Sequence, residues 1–191
     1  LVFIGDTYLT ARWAERRYDL VCSSPSPVSC AMIMRSLSAT TDRAAVARLF
    51  ADAADYVLLE DGRAPDEATT DSFFNERPPN VGAADAVHIG MFDADRLLGI
   101  LGVVFGYPDA NDSYIGLLLL APQARGSGVG GQALAHATAL ARARGSTHQL
   151  VAVLDNNPKG RAFWDREGFA LEKSFPPTKD GHTRHRMTRA I

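Results

Sequence analysis

The stretch Arg125-Gly126-Ser127-Gly128-Val129-Gly130-Gly131 constrains this chain more than any other. Four of the six residues from 126 to 131 are glycine, and they stand between an apolar run, Tyr114 to Leu120, and a helical pattern, Val129 to Arg144. Glycine has no Cβ, so the backbone can take left-handed angles and approach a ligand closely. The first N–H groups of a helix have no internal partner, and the helix dipole favours anions there. A buried strand, a glycine turn and a helix start therefore predict a site for phosphate groups, with Arg125 as a cation at its entrance. Two ligand classes fit. Gly126-Ser127-Gly128-Val129-Gly130-Gly131 satisfies the dinucleotide pattern G-x-G-x-x-G, and Asp155 ends the next apolar run, where a ribose-binding acid would stand. Three features weigh against a dinucleotide enzyme. Ala121 to Arg125, with Pro122, separate the strand from the glycines. The upstream segments read as hairpins rather than βαβ units, and too little chain follows Asp155 to complete a doubly wound sheet.

The rest of the chain reads as mixed α/β. Ala31 to Ser36 is a short strand. A helix capped by Thr41 or Asp42 runs to about Asp55, with Val46, Leu49, Phe50 and Ala53 on one face. Pro65-Asp66 opens a second helix to about Asn75. Val87, Ile89 and Met91 alternate with His88, Gly90 and Phe92 as a half-buried strand. Asp93 to Asp95 is a turn. Leu97 to Tyr107 is a strand whose glycines at 99, 102 and 106 suggest a bulge or close backbone approach. Tyr114 to Leu120 reads as buried on both faces. Leu134, Ala137, Leu140 and Ala141 form the stripe of the helix at 129–144, stopped by Gly145. Gln149 to Leu154 is a strand, Lys159 to Glu167 a helix, and Phe169 to Phe175 and Thr183 to Arg189 are strands.

A second signature follows the loop. Arg125-x-x-Gly128-x-Gly130, with Gln123-x-x-Gly126-x-Gly128 in an overlapping register, is joined by Asn157-x-x-Gly160-x-x-Phe163-Trp164-x-x-x-Gly168-Phe169. With a strand between them, these motifs resemble the GNAT superfamily of N-acetyltransferases over about Ala31 to Ile191. The resemblance implies the GNAT fold, a central mixed sheet (α/β, or α+β) flanked by helices. The sheet would splay open between the strands at 114–120 and 149–154, with acetyl-CoA in the splay. It implies acetyl transfer to a primary amine of a small molecule or protein, by direct attack in a ternary complex.

Such a reaction needs the cofactor held, the thioester carbonyl polarised, the amine deprotonated and the thiolate reprotonated. By resemblance, Arg125, Gly126, Ser127, Gly128, Val129, Gly130 and Gly131 hold the pyrophosphate. Backbone groups of Leu118, Leu119 and Leu120 pair with the pantetheine arm, and the Leu120 N–H faces the acetyl oxygen. Asn157 bonds the cofactor from the far wall or caps the helix after it. Phe163 and Trp164 pack near the arm. Trp164 stands where the family often has a tyrosine that protonates the thiolate, and indole has no comparable acid. The base some members carry early in the central strand falls at about Tyr114, whose ordinary pKa of about 10 makes it a poor base. A water relay, or an amine that arrives neutral, would then serve. Tyr107 and Tyr114 are candidates for lining the site. Tyr56, Phe73, Phe74, Glu76 and Arg77 are candidates for the acceptor side. His88 reads as a strand residue; His182 and His185 receive no role. The missing carboxylate and Trp164 keep open a non-catalytic acyl-CoA sensor.

Composition narrows the partners. A formal net charge of −2 leaves no basic footprint for nucleic acid. No apolar run approaches the roughly 20 residues of a membrane span. Cys22 and Cys30 form no disulfide framework and no zinc spacing, so no metal is expected, and a reducing cytoplasmic setting fits. Residues 1–30 make a poor signal peptide and are set apart as an extension of unknown role, either ordered or upstream of a start at Met32 or Met34. A homodimer is a candidate assembly.

Overall fold

The period-2 and continuous apolar runs become strands of one sheet. The computed structural model describes residues 32–177 and 181–191. The extension at 1–30, with Cys22 and Cys30, and Ala31 lie outside the described residues. Among the described residues, seven strands are present: β1 (Ile33–Ser36), β2 (Ala86–Asp93), β3 (Arg96–Phe105), β4 (Asp112–Leu120), β5 (His148–Leu154), β6 (Ala170–Phe175) and β7 (Arg184–Ala190). Their order is β1-β2-β3-β4-β5-β7-β6. Every neighbouring pair is antiparallel except β4 and β5, which are parallel.

That parallel pair is short. Asp112 to Ile115 face His148 to Val151, and there the ladder stops. On its other edge β4 stays paired with β3 as far as Leu120. Gly102 faces Leu117 while Val103 faces Ile115, so Gly116 is an extra residue in β4. A bulge bends its strand and increases local twist. Beyond Gly116, β4 follows β3 while β5 follows β7 to Leu154, and the sheet splits. The expected splay lies there. The bulge toward β4 falls at Gly116, and a second one, toward β2, makes Leu98 the extra residue in β3, beside Gly99. Gly99 is a close approach: a Cβ there would come 2.8 Å from the Leu119 carbonyl oxygen.

Among the described residues, five helices cover the faces: α1 (Arg43–Asp52), α2 (Ala54–Asp61), α3 (Glu67–Asn75), α4 (Val129–Ala143) and α5 (Pro158–Arg166). One core layer packs Val46, Leu49, Phe50 and Phe73 of α1 and α3 on Ile100, Leu117 and Leu119. The opposite layer packs Leu134, Ala137 and Ala141 of α4 with Trp164 of α5 on Leu101, Val103, Ile115 and Val151. Alanines at the α4 contact let the helix lie close to the sheet. β4 is not buried on both faces throughout. Leu117 and Leu119 are buried, but Leu118 and Leu120 are half-buried beside Ala124, Val129 and Ala133, because β5 has left that edge.

The single helix expected over 41–55 breaks at Ala53 (φ −102°, ψ 32°), and a second helix, α2, continues to Asp61. Gly62 ends α2 in the left-handed region at φ 67°, the usual helix stop. Asp42 stands at the N-cap of α1 without capping it. Its carboxylate accepts instead from the Ser38 N–H at 2.8 Å and the Arg35 guanidinium at 2.7 and 3.0 Å. Asp66 does cap α3, in a box with Thr69. The Thr69 N–H, then Arg63, hold the Asp66 carboxyl down at about 2. A depressed carboxyl contributes stability above its unfolded value of about 3.9, lost as the pH falls through the folded value. Asp66→Ala is therefore expected to lower Tm at pH 7, with the difference from the native chain shrinking toward pH 2 in a thermal-melt series. Among the described residues no helix is long and apolar enough to cross a membrane.

Candidate active site

The glycine loop stands at the mouth of the split. Gly126 (φ 74°) and Gly128 (φ 88°) are both left-handed, where a side chain would be strained. No atom lies within 4 Å of a Cβ built on either, so the space beside the turn is open. Ser127 Oγ donates to the Ala124 carbonyl at 2.6 Å and so braces the turn. The first hydrogen bond into α4 runs from the Gln132 N–H to the Gly128 carbonyl, at 3.2 Å. The N–H groups of Val129, Gly130 and Gly131 come before it and lack an intrahelical acceptor. A run of such donors at a positive helix end is an anion cradle.

Arg125 is engaged elsewhere. Its guanidinium forms a two-point pair with Asp55 of α2, at 2.5 and 2.8 Å, and its Nε donates to the Leu120 carbonyl at 3.1 Å. The hydrogen bond to Asp55 raises the pKa of the arginine and lowers that of its partner. Arg125 thus ties the loop to α2 rather than standing as a cation at the loop mouth. The pair is largely exposed, so it orients more than it stabilises.

β4 supplies the other surface. The Ala121 N–H bonds the Leu98 carbonyl, and the Leu119 carbonyl points toward Gly99, so the odd-numbered residues spend their backbone groups on β3. Alternation along an antiparallel ladder then turns the N–H and C=O groups of Leu118 and Leu120 into the split. Leu119 is thereby corrected as a backbone partner for a bound arm: its polar groups pair with β3 and its side chain packs under α1 and α3. Leu120 lies nearer the glycine loop, and Leu118 lies deeper, beside the bulge.

The far wall comes from α5. Asn157 is its N-cap, and Oδ1 accepts from the Gly160 N–H at 2.9 Å. The cap uses the side-chain oxygen and leaves Nδ2 as the group a ligand could meet. A Cβ on Gly160 would lie 2.6 Å from Asn157 Nδ2, which accounts for glycine at that position. Phe163 is half-buried and reaches across to α4: a Cβ on Gly130 would meet its ring at 3.2 Å and Leu120 at 3.6 Å. Trp164 does not border the split. It is buried in the core, edge-to-face with Phe163 at 4.8 Å and Phe169 at 5.1 Å, because α5 turns it toward Met187 and Val153.

Tyr114 lies in the closed part of the sheet, opposite Leu150 in the parallel ladder. Its ring packs edge-to-face on Tyr107 at 5.6 Å. Burial, then Tyr107, pushes its hydroxyl up to about 12, so it stays protonated and supplies no base at neutral pH. His88 packs against Phe73 and Phe74, and burial lowers it to about 4. Phe73 and Phe74, expected on the acceptor side, are buried in the core.

A cavity of about 160 Å³ opens between α1, α2, α3 and β4. Tyr56 and Glu76, expected on the acceptor side, line it, and so do Phe50, Glu60, Arg63 and Leu117. Leu117 adjoins Leu118 in β4, so the cavity and the split border consecutive residues on opposite faces of one strand. Glu60 was missed because α2 was missed. Gly62 was the available signal: a helix carried to that stop places Tyr56 and Glu60 one turn apart on one face.

A sheet split beside a glycine-capped helix, with an open strand edge inside, is an arrangement able to receive a phosphate-bearing ligand. The family model described as "Acetyltransferase (GNAT) family" matches residues 46–169. The chain belongs to the GNAT acetyltransferase family. Its structure is similar to an acetyltransferase from Thermus thermophilus, at 24% identity and TM-score 0.68, over 84% of this chain and 97% of that one. It is similar to the ribosomal-protein-S18-alanine N-acetyltransferase from Escherichia coli, at 18% identity and TM-score 0.63, over 84% and 94%. It also resembles the PaiA N-acetyltransferase from Thermoplasma acidophilum in complex with coenzyme A, at 18% identity and TM-score 0.61, over 84% and 99%. No curated protein sequence matches it.

Proposed function

We propose that this protein transfers an acetyl group from acetyl-CoA to a primary amine by direct attack in a ternary complex. The observation that carries this reading is the pair of free surfaces in the split. Three N–H groups at 129–131 can cradle a pyrophosphate, and the backbone groups of Leu118 with the Leu120 N–H can pair with a pantetheine arm as an added strand, the Leu120 carbonyl being held by Arg125. The family membership and the coenzyme A in a similar structure support the same ligand.

The order along β4 assigns the ends. With the pyrophosphate at the loop, the arm first meets Leu120, and the thioester lies deeper, by Leu118. The Leu118 N–H then takes the oxyanion role that resemblance gave to Leu120, and Leu120 pairs with the arm. Asn157 Nδ2 and the Phe163 ring flank the arm from α5. The acceptor enters from the opposite face through the cavity over Leu117. Tyr114 has no part in this scheme.

Acetyl-CoA is expected to stabilise the fold by mass action, by about 2.7 kcal/mol at a hundredfold excess over Kd. The matching measurement is a thermal melt with acetyl-CoA, followed by free-thiol release with a panel of amines. Stabilisation without thiol release from any amine would favour the sensor. No stabilisation at millimolar acetyl-CoA would remove both readings.

A further inference from the structure

α2 spans the mouth of the split. Near its start, Asp55 is held by Arg125, which also bonds the end of β4 through the Leu120 carbonyl. Near its end, the Leu59 carbonyl accepts from Asn156 Nδ2, just past β5, at 3.2 Å. The helix is thus fixed to both arms of the divided sheet. Between these ties, Tyr56 and Glu60 sit one turn apart and both face the cavity. The Tyr56 hydroxyl lies near the Glu60 carboxylate, and burial, then that carboxylate, raises its pKa well above the ordinary value. Glu60 is 8% exposed, low for a carboxylate on a helix at the molecular surface. Among the described residues, the charged groups that share the cavity wall with it include Asp61, Arg63 and Glu76 from α3, and Arg184 of β7 acts on the neighbouring Tyr56.

We propose that Glu60 is the catalytic base of this acetyltransferase, that Tyr56 positions it, and that the cavity seats a small cationic aminoalkyl arm. The proposal rests on the acetyl-transfer reading above. The cavity's size sets the arm: about 160 Å³ is close to the roughly 150 Å³ that admits a benzene-sized ligand. Its chemistry sets the charge, since a buried carboxylate favours a cation over a second carboxylate. Leu117 in its wall and Leu118 in the split are consecutive, with Cα atoms about 3.8 Å apart. Their side chains point to opposite faces of the sheet, so the amine reaches the thioester across the open edge of β4 at these two residues.

The step balances. The ammonium gives one proton to Glu60. The nitrogen lone pair forms the C–N bond, and the carbonyl π pair moves to oxygen under the Leu118 N–H. Collapse breaks the C–S bond. The second nitrogen proton goes to the departing thiolate, giving the free thiol, and Glu60 releases its proton to water.

The test uses the full chain, acetyl-CoA, and n-butylamine against 4-aminobutyrate as probes. Glu60→Gln is expected to keep the acetyl-CoA thermal shift. It should lower kcat for n-butylamine at pH 7 by about 100-fold or more, as loss of a general base does. Its residual rate should climb with pH as the free amine accumulates. Glu60→Asp keeps a carboxylate one methylene further away, and it should retain more kcat than Glu60→Gln at equal Tm. Tyr56→Phe should cost less than Glu60→Gln, and 4-aminobutyrate should react far more slowly than n-butylamine. A Glu60→Gln variant with native kcat at pH 7, or equal rates for the two amines, overturns the proposal. So does a native chain that is stabilised by acetyl-CoA yet inert to n-butylamine. The broader reading fails on separate results: no stabilisation by acetyl-CoA, or no thiol release with any amine of the panel.

Discussion

Gly128→Asp is expected to leave the unliganded fold in place and to weaken acetyl-CoA binding at least about 100-fold, equivalent to about 2.7 kcal/mol. The residue is the N-cap of α4 in the left-handed region, at φ 88°. Aspartate tolerates that region better than most side chains, and the strain is of order 1–2 kcal/mol. No atom of the protein lies within 4 Å of the new Cβ, so nothing in the core must move. The carboxylate would instead occupy the open space in front of the N–H groups at 129–131. It would satisfy those donors itself and oppose a second anion. Each charge-assisted hydrogen bond lost costs about 1.5–3 kcal/mol, so losing two is enough for the stated effect. Isothermal titration with acetyl-CoA, beside a melt without ligand, separates the two consequences. Retained binding would show that the pyrophosphate lies elsewhere.

Phe73→Ala is expected to destabilise the fold by about 3–5 kcal/mol without touching the split. Its ring is fully buried and meets Phe50 at 6.1 Å, Phe74 at 5.0 Å and His88 at 4.8 Å, all edge-to-face. It joins α1, α3 and β2, so the cavity left by its removal cannot collapse without moving a helix. Against a total stability of about 5–15 kcal/mol this is a large fraction. Chemical denaturation should show the lower midpoint. Acetyl-CoA should still raise Tm, because the loop and the β4 edge lie on other elements. A loss below about 1 kcal/mol would mean that the aromatic cluster packs more loosely than the ring distances indicate.

Some of this site was legible in the residues alone, because the signal was local. A glycine at φ 88° that also starts a helix needs no distant partner to be recognised, and neither does the capping oxygen of Asn157 three residues before Gly160. The β-strands were legible for the same reason, since burial with period 2 is written along each segment. Local signals misled where two outcomes shared one pattern. Phe163 and Trp164 are adjacent aromatics on α5, and only the helix orientation decides that one borders the split while the other fills the core. Leu118 and Leu119 are chemically identical, and only the β3 register decides which backbone faces the opening. Arg125 read as a phosphate ligand because Asp55, its partner, lies seventy residues earlier in the chain.

What the sequence determined by itself was the family-type loop, the order of the strands and of the helices other than α2, and the kind of ligand a glycine-capped helix can hold. These follow from backbone angles and side-chain periodicity, which act over a few residues. What the tertiary structure decided was the split after Ile115, the bulge at Gly116, the course of α2 across the mouth, and the placing of its Tyr56 and Glu60 face beside Leu117. Each depends on strand pairing or packing between segments far apart in the chain, and those contacts leave no mark in any one of the segments they join.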